Sequence, residues 1–142
     1  MKFLLVLASL LVCAVVLGAA GAGPAAVSYF DHDKVIKGGS LVTEPSYTVS
    51  VNRRTATGQV EVHEKETDIF YVTQGEATFV TGGKMIGGKV SRPSQLLGTD
   101  IEGGETHHLA KGDVVVIPAG TPHWFKQVPQ SIQYFVVKSI QP

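Results

Sequence analysis

The chain has 142 residues, a length suited to one domain, with 12 basic and 12 acidic residues in balance. No basic stripe accompanies that balance, so nucleic-acid binding is not expected. Cys13 is the only cysteine, which rules out an internal disulfide.

The first element reads as a targeting segment. Met1-Lys2 give a positive start, residues 3–18 carry no charge, and Ala19-Ala20-Gly21-Ala22 supply small residues for cleavage. That is the pattern of a secretory signal peptide, too short and wrongly flanked to span a bilayer. Cleavage is expected after Ala20 or Ala22, and the mature protein is expected to be secreted or extracytoplasmic and free of the membrane. Losing Lys2 and Cys13 leaves 11 basic against 12 acidic residues and no cysteine. Stability must then come from a hydrophobic core, for which about 120 residues suffice. No Asn-x-Ser/Thr site occurs. The expected organisation is a signal peptide at 1–22, an N-terminal segment at 23–45 and a β domain at 46–142.

Within the N-terminal segment, Asp31 to Lys37 is expected to form one short helix, capped by Asp31 and ended by Gly38-Gly39. Residues 24–30 either hang loosely or add an edge strand. From there the pattern is β. Short runs rich in Val, Thr and aromatics fall at 47–53, 59–63, 69–74, 76–81, 96–101, 105–109, 114–117, 123–128 and 132–139, with glycines between them. Many short strands with Gly-rich turns indicate a sandwich or a barrel. Residues 82–94, with four glycines and Pro93, read as a long hairpin or surface excursion.

Two stretches carry chemistry. The first is Gly58 through Gly75. Strand residues alternate faces, so Glu61, His63 and Lys65 share one side and Val60 and Val62 the other. Taken alone, such a strand turns its valines to the core and its charges to water. The second stretch is Gly112-Asp-Val-Val-Val-Ile-Pro118-Ala-Gly120-Thr-Pro-His123, a buried-looking strand, a Pro-Gly turn and a histidine delivered onto the next strand.

The second stretch is similar to the second motif of the cupin superfamily: Gly112, Pro118, Gly120 and His123 are in register, and Gln127 stands where the family has Asn. The first resembles the other cupin motif. His63 fits the first histidine, Lys65 replaces the second, and Asp68 stands where the family has Glu. Gly75 closes the motif, and Gly58 precedes His63 by one residue less than usual. The motifs span residues 58–127, with a longer separation between Gly75 and Gly112 than in compact members. The resemblance implies an all-β fold, the double-stranded β-helix or jelly-roll barrel. It also implies that His63, Asp68 and His123 point inward to a divalent metal. Glu61 and Lys65 then face inward too, and Val60 and Val62 need an outer cover, from the N-terminal segment or a second subunit. A homodimer is expected on that ground.

Two imidazoles and a carboxylate with open positions suit iron, manganese, copper, nickel or zinc. Glu66 is a further metal donor if its loop turns inward. Lys65 either pairs with Glu61, Glu66 or Asp68, or holds an anionic substrate beside the metal, or ligates the metal with its amine deprotonated by burial near the cation. His107, on the face of Leu109, is a candidate acid–base group or fourth ligand. Phe70, Trp124 and Phe125 are the candidate walls of a small-molecule pocket. No Gly-x-Ser-x-Gly elbow or phosphate loop is present. The expected function is therefore a metal-dependent enzyme on a small molecule, of oxygenase, isomerase or lyase type. The alternatives are a non-catalytic metal- or ligand-binding module and a structural barrel with a degenerate site.

Overall fold

The computed structural model describes residues 26–142. The expected signal peptide and its cleavage site lie outside the described residues. Helix α1 (His32–Lys37) forms as read: the Asp31 side chain accepts from the Lys34 amide at 2.8 Å, and Gly38, at φ +75°, closes it. Residues 26–31 form no strand.

Twelve strands follow. They are β1 (Gly39–Thr43), β2 (Tyr47–Arg54), β3 (Val60–His63), β4 (Glu66–Thr81), β5 (Lys84–Ile86) and β6 (Lys89–Arg92). Then come β7 (Gln95–Gly98), β8 (Asp100–Glu102), β9 (Glu105–Ala110), β10 (Val114–Ile117), β11 (His123–Gln127) and β12 (Ile132–Ile140). Strand β1 is a finding beyond the sequence reading. Its short Ser-Leu-Val-Thr run carries little pattern of its own and is fixed by pairing with β2.

The two strands expected at 69–74 and 76–81 are one 16-residue strand, β4. Its first half pairs with β12 and β10, and its second half with β9 and β11. It therefore belongs to both sheets and bends across the corner between them. Gly75 sits at the bend with φ +76°, and a side chain there would run into the Ser131 carbonyl. Only glycine meets both demands without strain. The run expected at 96–101 is, conversely, divided into β7 and β8.

One sheet contains β1, β2, β12, the first half of β4, and β10. The other contains β9, the second half of β4, β11, β3, β7 and β6. They close face to face as a jelly-roll barrel. The interior is built by period-two alternation: Ile132, Tyr134 and Val136 of β12 are buried, as are Phe70 and Val72 of β4. Phe70, Phe79, Phe125 and Tyr134 form an aromatic floor, with centroid separations of 4.6 Å for Phe79–Phe125 and 4.9 Å for Phe70–Tyr134. Each such pair contributes about 0.5–1.5 kcal/mol beyond its buried area.

Val60 and Val62 face outward and are nevertheless buried. Over Val60 the chain's own excursion, in which β5 pairs with β8, supplies cover. Gly98, the in-register neighbour of Val60, lies directly under Met85. Neither the N-terminal segment nor a second subunit is needed for that task.

Candidate metal centre

Strands β3 and β11 place the central donors. His123 lies opposite Glu61 of β3 and Thr81 of β4. The Pro118–Gly120 turn ties the two motifs together, because the Gly120 amide donates to the His63 carbonyl at 2.8 Å. The two imidazoles stand 5.2 Å apart, centroid to centroid. Strand β4 adds Glu66 and Asp68, β2 adds Arg54, and β12 adds Lys138, which is in register with Asp68. His63, Asp68 and His123 are 4%, 2% and 4% exposed. The cavity they line has a volume of about 50 Å³.

His63 Nε2 lies 3.4 Å from Glu61 Oε2 and 3.7 Å from Asp68 Oδ2, and its Nδ1 lies 3.6 Å from Glu66 Oε2. His123 Nε2 lies 4.0 Å from Asp68 Oδ2. His123 Nδ1 is 3.1 Å from the Thr121 carbonyl, which can only accept, so Nδ1 carries the proton and the Nε2 lone pair faces the carboxylates. Burial pushes the His123 pKa down, against some compensation from that carbonyl and from Asp68.

The carboxylates are partly neutralised from within. Arg54 donates to Glu61 Oε1 at 2.7 Å and to the Tyr134 hydroxyl at 3.2 Å. Burial alone would raise the Glu61 carboxyl; the His63 ring beside it and the Arg54 guanidinium outweigh burial and hold it at about 2. Lys138 Nζ donates to Asp68 Oδ1 and Oδ2 at 2.8 and 2.9 Å and to Glu66 Oε2 at 2.9 Å.

The residues fit a cation. A neutral imidazole carries one lone pair, and both nitrogens of His63 face carboxylate oxygens. In either tautomer the lone pair is turned against negative charge. His63 Nδ1 is moreover a buried polar atom with no hydrogen-bond partner, an arrangement that costs about 1–3 kcal/mol when left unmet. Held by Glu61, His63 and His123, a divalent ion would remove the main conflict. Donor atoms of Glu61, His63 and His123 lie within 4.8 Å of one another.

Of the residues singled out in the sequence, His63, Asp68, His123 and Glu66 are brought together. Phe70 and Phe125 line the same cavity. The other three are elsewhere. Lys65 is exposed and donates to the Pro142 carbonyl at 3.0 Å, because β3 ends at His63 and strand alternation no longer governs the next two residues. His107 bonds Thr81 Oγ1 at 2.9 Å and lines a separate cleft. Trp124 alternates away from His123 and Phe125, and its indole donates to the Gly58 carbonyl at 2.7 Å. It locks the first glycine of the motif rather than walling a pocket.

Sequence reasoning misses Arg54, Tyr134 and Lys138, and it gives Glu61 an inward face without a role. A signal for Lys138 exists. Counting by two along Ile132, Tyr134 and Val136 lands on it.

A family model for cupins matches residues 36–142. The chain belongs to the cupin family. No curated protein sequence matches this cupin. Among solved structures, it resembles the protein BH2720 of Bacillus halodurans with a TM-score of 0.58 and 13% identity, covering 87% of this chain and 86% of that one. It resembles TT1209 of Thermus thermophilus with a TM-score of 0.55 and 17% identity over 82% and 100%. It also resembles the cupin domain of Schizosaccharomyces pombe Cnp3 (TM-score 0.53, 16% identity), where 73% of this chain spans 60% of the other. Identities this low establish a shared fold and nothing about substrate.

Proposed function

We propose that this cupin holds one divalent metal ion through Glu61, His63 and His123. The observation that carries the reading is His63: both of its ring nitrogens face carboxylates, inside a buried cluster. The metal would supply Lewis acidity, or redox chemistry if it is iron, manganese or copper. The chain's own groups supply the rest. The Thr121 carbonyl fixes the His123 tautomer, Arg54 anchors Glu61, and the aromatic floor excludes water.

The cavity favours the binding-module reading over an enzyme for large substrates. Its volume of about 50 Å³ admits an ion and a few water-sized molecules, against roughly 300–1,000 Å³ for a typical organic-ligand pocket. Turnover at this centre, if the protein is an enzyme, is confined to substrates of a few atoms. Metal analysis of the chain purified without added metal, beside a His63→Ala/His123→Ala variant, tests the reading. Near-stoichiometric metal that disappears in the variant supports it. No metal in the wild type, even after loading with iron, manganese, copper, nickel or zinc, overturns it.

Two further parts belong to the proposal. Export rests on the N-terminal 22 residues and is tested by N-terminal sequencing of the mature chain. A homodimer rests on a new ground: Ile69, Tyr71, Val114 and Val116 form an exposed apolar row across β4 and β10. Light scattering of the wild type and Val114→Lys reads it directly; a monomeric wild type removes the homodimer from the proposal.

A further inference from the structure

The donors form two groups that share His63. One is Glu61, His63 and His123; the other is His63, Glu66 and Asp68. Chemically both suit a cation, and the second also has the unpartnered, buried His63 Nδ1 aimed at it. The two groups differ in one respect. The second is already filled by an ammonium. Lys138 Nζ has three protons to donate, and it makes three close contacts, with both oxygens of Asp68 and with Glu66 Oε2. No donor capacity is left over. A metal ion entering that group would displace the ammonium or sit beside a full positive charge. The first group has no such occupant: Arg54 reaches only the outer oxygen of Glu61 and leaves Oε2 facing His63.

We infer that Lys138 is a built-in cation that reserves Asp68 and Glu66, limits the barrel to a single divalent ion, and makes Glu61 rather than Asp68 the carboxylate ligand. Lys138 is thus a positioning residue that acts by occupying a site. The inference rests on the metal-binding reading above, and it yields a statement about selectivity. The strand that carries Lys138, β12, belongs to neither sequence motif, so the choice of ligand is made from outside them.

The experiment is equilibrium dialysis of the full chain against Zn²⁺, with metal and protein quantified together. Lys138→Met is expected to bind a second ion, or to bind the first about tenfold more tightly. Removing the pair together, as Asp68→Asn/Lys138→Met, keeps the local charge balanced and is expected to leave Zn²⁺ affinity within about threefold of wild type. Unchanged binding in Lys138→Met overturns the inference, as does loss of the ion in the double variant, which would show that Asp68 ligates. Should Lys138→Met fail to fold, the charge-balanced double variant decides alone. A wild type that binds no Zn²⁺ beside a Lys138→Met that does would refute the metal-binding reading of the native chain and the single ion on Glu61, and would leave only the occupation of Asp68 and Glu66 by Lys138. No binding in either refutes both.

Discussion

The centre around His63 is a cavity of about 50 Å³ lined by the carboxylates of Glu61 and Asp68, the imidazoles of His63 and His123, and the cations Arg54 and Lys138. The cleft between β9 and β10 holds about 830 Å³, with Leu109, Ile117 and the valines 114–116 in its apolar lining and His107, Thr81 and Thr121 among its polar groups. The centre lies where strands are paired on both sides: β11 is flanked by β3 and β4. The cleft lies where, among the described residues, β9 and β10 each pair only with β4 and so end their sheets. Close pairing sets donor atoms within a few ångströms and leaves no room. A sheet edge leaves room and sets nothing. Chemistry and space are therefore separated in this barrel, and Thr121 is where they touch, since it lines the cleft while its carbonyl holds His123.

That separation can be broken experimentally. The largest effect is expected from His63→Ala/His123→Ala, which should lower divalent-metal affinity by about a hundredfold or more, read by dialysis. Retained metal would move the site away from the centre. Next, Phe125→Ala should cost about 3–5 kcal/mol of stability, because its ring packs against Phe70, Phe79 and Tyr134. Chemical denaturation measures this, and a cost below about 1 kcal/mol would mean the floor is not close-packed.

Acid should weaken the centre specifically. The folded pKa of His123 lies below its ordinary 6.5, and that of Glu61 falls from 4.5 to about 2. For both groups the unfolded chain binds more protons than the folded one across the intervening range. Stability of the metal-free protein therefore rises with pH there. The His123 contribution is complete above 6.5 and fades as pH falls below it; the Glu61 contribution fades from about 4.5 toward 2. A thermal midpoint in chelator that stayed flat from about pH 7 to about pH 4 would contradict the burial of His123. The smallest effect is expected from His107→Ala, which should leave metal affinity within about twofold. A larger loss would join the cleft to the centre.

Much of this was legible in the chain. Gly112, Pro118, Gly120 and His123 are spaced so that a turn sets a histidine at the start of a strand, and local backbone geometry alone enforces that. His63 and Asp68 followed from the other motif. Lys65 lies beyond the end of β3 at His63, where the alternation of a strand no longer sets the direction of a side chain. Trp124 sits on the opposite parity to His123 and Phe125, which turns its ring away from the centre whatever its aromatic character suggests. Lys138 and Arg54 were missed because nothing near them in sequence asks for a carboxylate. Their partners lie 70 and 7 residues away: the register of β12 against β4 brings Lys138 to Asp68, and Arg54 reaches Glu61 on a strand it does not pair with.

By itself the sequence determined the strand periods, the turn glycines and the α1 cap, and its resemblance to the cupin motifs implied which histidines point inward. These depend on residues a few positions apart and on backbone conformations that glycine and proline restrict. Only the tertiary structure decided which carboxylate stays open to a metal, what covers Val60 and Val62, and how little space the centre leaves. Those outcomes are sums over strands distant in the chain. The register of β12 against β4 sets Lys138 on Asp68, and no local pattern encodes that meeting.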